Sequence, residues 1–286
     1  MVVTLSSDVL ARYHRFSLYN SPFVAHDDGR AIDLYPSGAI APSPVAGTVV
    51  ETKQVRAPPQ PYAAEHDYLL LIDTGEWMAR LLHVEPSVAP GDEVGVGDPL
   101  GETVRAGFFA PWVPDHVHLE YRDHEANPYR ADGSEPLAVA VEIEPLPWDG
   151  TGTVVDTGAT WARLDAPAHP APGERFVGLA NGGSEDGTAG VVDGGLAHYD
   201  AGGLLGSAPS ADTRTAVSVA GAPVGIATGR TVAWDDVTVT ANGEPITGLS
   251  LFCARDGDFG AKLICPDRRF EVGADVRVRV RSSDVR

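Results

Sequence analysis

The chain has 286 residues, enough for two ordinary domains that each bury a core, and its 43% hydrophobic and 21% charged residues are the balance of a soluble globular protein. A total of 40 Asp and Glu against 21 Lys and Arg gives a formal net charge of -19, which repels phosphate backbones and anionic lipid and excludes nucleic-acid and membrane-surface binding as first readings. Lys53 and Lys262 are the only lysines; an acidic, lysine-poor surface of this halophilic type suits high salt, where carboxylates stay hydrated and their repulsion is screened.

From Met1 to Phe16 the chain carries charges and no apolar core of the kind a signal peptide needs, and no apolar run approaches membrane-spanning length. A cytoplasmic protein is the expectation. Gly47–Lys53, Tyr68–Asp73, Trp77–His83, Leu100–Arg105, His116–Arg122 and Ala138–Ile143 then read as short strands, most of them bounded by Gly, Pro, Asp or Asn turn signals. No convincing amphipathic helix interrupts them, so the fold class is all-β, a sandwich or barrel. Two prolines and a glycine in Glu144-Pro145-Leu146-Pro147-Trp148-Asp149-Gly150 mark a seam. It separates a domain at 1–145 from a β-rich accessory domain at 150–286. Beyond it lie a glycine-rich loop at Asn181–Gly190 and an alternating strand at Val276–Val280. The two cysteines, Cys253 and Cys265, either pair across a hairpin or sit buried; without an export signal, free thiols are expected.

The chemistry concentrates around His116-Val117-His118-Leu119-Glu120. Alternation in a strand puts His116, His118 and Glu120 on one face, with Val117 and Leu119 packed behind. Two imidazoles so placed can share a metal, or one can ligate while the other handles a proton. His-x-His alone is a weak signal, since it occurs on solvated strands. Its weight comes from what precedes it in order: His26 seven positions before Asp33, the turn and strand Pro42-Ser43-Pro44-Val45-Ala46-Gly47-Thr48-Val49-Val50, a hairpin ending on Leu82-His83-Val84, and Val88-Ala89-Pro90-Gly91-Asp92-Glu93-Val94 followed by Gly97-Asp98-Pro99-Leu100-Gly101.

This series, over roughly His26 to Arg122, resembles the lysostaphin or LytM type of zinc metallopeptidase, the murein endopeptidase-like family. The resemblance implies a duplicated-hybrid-motif, barrel-sandwich-like domain with one zinc ion on His26, Asp33 and His118. It makes His83 and His116 the catalytic imidazoles, with their individual tasks left open. Two neutral imidazoles and one carboxylate leave zinc a net positive charge and an open position for water. The implied activity is hydrolysis of an amide or peptide bond in a peptide-like substrate. The resemblance says nothing of residues beyond the seam, and the C-terminal domain is read as serving substrate positioning, docking of a protein partner or dimerisation. One departure from the family pattern is Gly107-Phe108-Phe109-Ala110-Pro111-Trp112-Val113-Pro114-Asp115, where small residues are usual. This bulky segment is expected to form a wall or lid beside the metal.

Two other readings compete. A non-catalytic glycan- or protein-binding module would keep the fold, with the bulky segment closing the open position. A phosphocarrier would set two histidines face to face, but the Asp33–His26 pair suits zinc better. A lipoyl-type role needs a lysine at a hairpin tip, and Lys53 lacks the flanking pattern. Glu120 is read either as orienting a ligand or as an exposed strand-end carboxylate, and Arg105 and Arg122 as solvated in preference to binding a substrate carboxylate. His14, His66, His124, His169 and His198 are expected at the surface.

Overall fold

Residues 1–182, 190–206 and 211–283 are described by the computed structural model. The protein is all-β: among the described residues the α-helix is a single turn, Ser7–Leu10, and a 3-10 segment spans Val24–Gly29. Among the described residues no helix is long and apolar enough to cross a membrane. The chain divides into one unit of Met1–Phe16 with Phe23–Val141, and a second of Ser17–Pro22 with Glu142–Arg286. The short segment Ser17–Pro22 was not foreseen as part of the second unit.

In the first unit, a run of antiparallel strands lies in the order Ala31–Tyr35, Val117–Arg122, Met78–Leu82, His66–Asp73, Gly47–Arg56 and Glu93–Val94. The hairpin from His66–Asp73 to Met78–Leu82 turns at Thr74-Gly75-Glu76-Trp77. There Gly75 takes φ +87°, a left-handed conformation that costs a glycine little, and Thr74 N–H donates to the Trp77 carbonyl at 2.9 Å. Ile40–Pro42, Pro99–Thr103 and Val84–Pro86 form a separate three-stranded sheet. Leu34, Leu70, Ile72, Leu81, Val117 and Leu119 are fully buried, as the alternating pattern requires of one sheet face.

The expected strand at Ala138–Ile143 is broken. Leu137–Val139 pairs in parallel with Val3–Leu5, whereas Ile143–Leu146 pairs with Phe176–Leu179 in the second unit. The break is where the chain leaves one unit for the other, so apolar residues on its two sides serve different cores.

The second unit is built on an antiparallel series running from Arg214–Val219 at one edge, through Val191–Leu196 and Gly248–Leu251, to Asp275–Ser282 and Glu244–Pro245 at the other. Val177, Val192, Leu249, Leu263 and Val278 are among its buried core. The valine alternation at Val276–Val280 lies within the strand Asp275–Ser282. Most of the expected loop at Asn181–Gly190 lies outside the described residues. Cys253 and Cys265 are free and buried, and burial with nearby Asp193 holds the Cys253 thiol well above its usual range. His169 is buried rather than at the surface: its Nδ1 accepts from Ala171 N–H, and its Nε2 faces the Arg175 carbonyl at 3.2 Å.

The carboxylate of Asp193, wholly buried, ties Ser17–Pro22 into this unit. It accepts from Ser17 Oγ at 2.6 Å, Leu18 N–H at 2.6 Å and Tyr19 N–H at 3.1 Å. Asp193→Ala removes the acceptor of three buried hydrogen bonds and is expected to destabilise the domain by about 2–5 kcal/mol, read as a lowered urea midpoint. An unchanged midpoint contradicts the anchor. His198, half-buried, supplies a pH signature. Burial lowers its pKa from 6.5 to about 4. The folded ring therefore stays neutral while the unfolded chain takes up a proton as pH falls below 6.5, so stability is lost between 6.5 and 4. Stability measured across that window should decline less steeply in His198→Gln than in the native chain.

Candidate metal centre

Strand register assembles the site. His118 sits opposite Asp33 on one neighbouring strand and opposite Leu82 on the other, one residue before His83. His26 comes from the 3-10 segment just upstream of the Asp33 strand. Asp28 at φ 56° and Gly29 at φ 64° turn the chain back there, which explains how a histidine seven positions away can meet Asp33.

His26, Asp33 and His118 offer ligand atoms that converge. His26 Nε2 lies 3.2 Å from His118 Nδ1 and 3.3 Å from Asp33 Oδ1, and His118 Nδ1 lies 3.0 Å from Asp33 Oδ1. Ligand atoms about 2.0–2.1 Å from a tetrahedral zinc are themselves roughly 3.3 Å apart, so this triangle matches one face of such a site. His83 and His116 stand beside it: His116 Nε2 is 3.3 Å from Asp33 Oδ1, and the His83 ring centroid is 5.1 Å from that of His116 and 5.8 Å from that of His118. All five side chains expected at the site are therefore brought together. None exposes more than 6% of its surface, so the cluster is not a patch of solvated polar residues.

Each imidazole has a partner behind it. His118 Nε2 is 2.9 Å from Glu120 Oε1, and with Nε2–H donating there its Nδ1, 3.0 Å from Asp33 Oδ1, is the atom that can turn a lone pair to a metal. His116 Nδ1 donates to the Pro114 carbonyl at 2.9 Å, while its Nε2 lies 3.3 Å from Asp33 Oδ1. Two imidazole nitrogens and a carboxylate oxygen that converge in this way are a donor set that fits a divalent metal such as zinc. Burial acts to raise the Asp33 carboxyl. The charges of His116 and His26, with hydrogen bonds from His116 and His118, outweigh it and hold the group well below the usual carboxylate range. Burial lowers His83 to about 4, against the opposing pull of Asp67.

Two expectations are corrected on the same strand. Glu120 is not an exposed strand-end carboxylate, nor is Arg122 solvated: both are buried. Glu120 Oε1 takes the His118 proton and pairs with Arg80, its register partner on the neighbouring strand. Its Oε2 accepts from Arg122 at 2.8 Å and from Ser134. Burial acts to raise Glu120, but His118, Arg80 and Ser134 together hold it far below the ordinary range. The guanidiniums also donate to main-chain carbonyls, Arg80 to Pro128 and Arg122 to Asn127 and Arg130, while Arg122 Nε is buried without a hydrogen-bond partner among the described residues. A buried ion pair persists where most of its donors are matched in this way. Arg80, Ser134 and Asp67 were missed in the sequence. Strand alternation does place Arg80 near the site, but only the tertiary pairing shows what it meets.

The bulky segment Gly107–Asp115 does stand beside the cluster. Phe109 stacks on His116 at 4.4 Å and meets His83 edge-on at 4.6 Å, while Phe108 contacts Phe23. Arg105 is committed to holding this segment, donating to the carbonyls of Val113 at 2.7 Å and Pro111 at 2.9 Å, and Tyr62 donates to the Phe109 carbonyl. At Gly107 a Cβ would lie 1.7 Å from the Pro58 carbonyl oxygen, so only glycine lets the two loops approach. His124, at the surface as expected, pairs with Asp73 at 3.0 Å.

The protein is thus a two-unit all-β chain whose first unit carries a buried His/Asp cluster able to hold a metal. Residues 4–139 match the family model described as the N-terminal domain of the domain of unknown function DUF8155, and residues 144–281 match its C-terminal domain. Between them the two models span nearly the whole chain, which belongs to this family. No curated protein and no solved structure matches it.

Glu120→Gln keeps the shape but weakens the proton acceptor behind His118, and is expected to lower zinc affinity about 10- to 100-fold by calorimetry. Glu120→Ala additionally strands two buried guanidiniums and should cost about 3–5 kcal/mol of stability. Unchanged zinc affinity in both variants contradicts a ligand-orienting role.

Proposed function

We propose that the chain is a zinc-dependent hydrolase that cleaves an amide or peptide bond, its first unit a duplicated-hybrid-motif domain of the lysostaphin metallopeptidase type. The observation that carries this reading is the buried triangle of His26, Asp33 and His118 with two further imidazoles, His83 and His116, beside it. In this reading the three triangle residues hold one zinc ion. Bound there, the ion supplies Lewis acidity, which makes a water nucleophilic near neutral pH.

The chain's own residues supply the rest. Glu120 fixes the tautomer of His118, and so the atom it offers. One of His83 and His116 accepts the proton of the attacking water on a free ring nitrogen, and an imidazole N–H donates to the oxyanion as it forms. Phe109, packed on both rings, limits their rotation and excludes bulk water. The apolar pair Phe23 and Phe108 favours a peptide-like substrate with an apolar group near the scissile bond. The second unit serves substrate positioning or docking of a protein partner, in a high-salt cytoplasm that suits the acidic surface.

One observation favours a second reading, a binding module that retains the fold and the metal. The aromatic contacts of Phe109 and the low exposure of all five site residues would also suit a closed, structural ion.

The test is turnover by the full chain in high salt, presented with one equivalent of zinc and a library of small peptides. Cleavage that disappears on chelation, returns with one equivalent of zinc and falls at least 100-fold in His116→Ala is expected. A zinc-loaded chain that cleaves no peptide, and whose ion no small anionic inhibitor can reach, overturns the hydrolase and leaves the binding module.

A further inference from the structure

The hydrolase reading leaves His83 and His116 interchangeable, but their surroundings differ. Behind His116 is a neutral carbonyl, that of Pro114 at 2.9 Å. Behind His83 is the carboxylate of Asp67, fully buried, with Oδ2 at 2.7 Å from His83 Nδ1. The other oxygen of Asp67 accepts two main-chain N–H groups, from Tyr68 at 2.8 Å and from His83 itself at 3.1 Å. One carboxylate therefore grips both the ring and the backbone of the same residue. That residue has φ 71°, a left-handed conformation uncommon for a side chain as large as histidine. Such a conformation persists where its surroundings over-determine it, and such residues cluster at functional sites.

We infer that Asp67 and His83 form the proton-transferring dyad of this site, with Asp67 as the positioning residue and His83 Nε2 as the proton acceptor. The geometry of the dyad stands on its own; its part in turnover rests on the hydrolase reading. Since a carboxylate only accepts, His83 Nδ1 carries the ring proton and Nε2 carries the lone pair. When an O–H bond of the attacking water breaks, its proton passes to Nε2 and its electron pair forms the new bond to the substrate carbonyl carbon. The ring is then an imidazolium, with the Asp67 carboxylate against its Nδ1–H. A carboxylate stabilises that cation more than a carbonyl does, which separates His83 from His116. As the carbon–nitrogen bond of the tetrahedral intermediate breaks, the same proton passes from Nε2 to the departing amine nitrogen, and His83 is neutral again. His116, with Nδ1–H on the Pro114 carbonyl, reaches the developing oxyanion as a donor only when its Nε2 also carries a proton.

Asp67→Asn separates this inference from a merely structural role. Tyr68 N–H and His83 N–H both donate to the one oxygen of residue 67, so the amide oxygen stays on their side and the NH₂ group faces His83 Nδ1. The ring proton must then move to Nε2, the nitrogen that has to be free. Nitrogen-15 NMR of the full chain with labelled histidine reads the tautomer directly, the His83 signals being identified by their loss in His83→Gln. In the native chain His83 is expected as the Nδ1–H tautomer, and in Asp67→Asn as the Nε2–H tautomer. Turnover of a cleaved peptide by Asp67→Asn should show kcat reduced about 10²- to 10⁴-fold with KM and zinc affinity little changed. An Nε2–H ring in the native chain overturns the dyad without any variant having to fold. A native kcat in Asp67→Asn overturns its role in turnover. If the native chain cleaves nothing, the hydrolase reading fails while the NMR result still decides the tautomer.

Discussion

The first unit depends on one pairing: His118 opposite Asp33 in an antiparallel register that also sets Glu120 opposite Arg80. A slip of one residue would turn His118 and Glu120 to the other face and put Val117 and Leu119 in their place. The apolar face of this strand is fully buried, which makes such a slip costly. Hydrophobic patterning on one face thus positions ionisable groups on the other. The same register lets one carboxylate, Glu120, orient the histidine that a second, Asp33, meets on its opposite ring nitrogen.

What surrounds the strand is a polar interior with its own logic. Buried carboxylates persist there because each is satisfied: Glu120 by His118, Arg80, Arg122 and Ser134, and Asp67 by three donors. Around them, Phe109 fills the space beside the imidazoles with an apolar ring, lowering local polarity and strengthening the remaining electrostatic contacts. Arg105, Tyr62 and Gly107 secure that ring from behind. Residues outside the cluster thus spend their hydrogen bonds on holding a wall in place.

Much of this was legible in the sequence because strands announce themselves by alternation and turns by glycine and proline. Convergence of His26, Asp33 and His118 followed from an ordered motif series, not from any one spacing. Alternation failed where it equates the polar side of a strand with solvent: Glu120 and Arg122 face inward onto Arg80 and Ser134, which come from distant positions. Asp67 was invisible for a related reason, since its meaning lies in a contact with His83 across 16 residues. His169 shows the same failure in the second unit, where a histidine with no pattern around it is nonetheless packed and hydrogen-bonded. The attachment of Ser17–Pro22 to the second unit was hidden as well, because Asp193, which anchors it, lies 176 residues from Ser17.

Anomalous diffraction at the zinc edge from crystals of the full chain grown with zinc tests the assembly most directly. A single peak within about 2.0–2.2 Å of His26 Nε2, Asp33 Oδ1 and His118 Nδ1 is expected. A peak on other side chains, or those three groups splayed too far apart to share an ion, would contradict it.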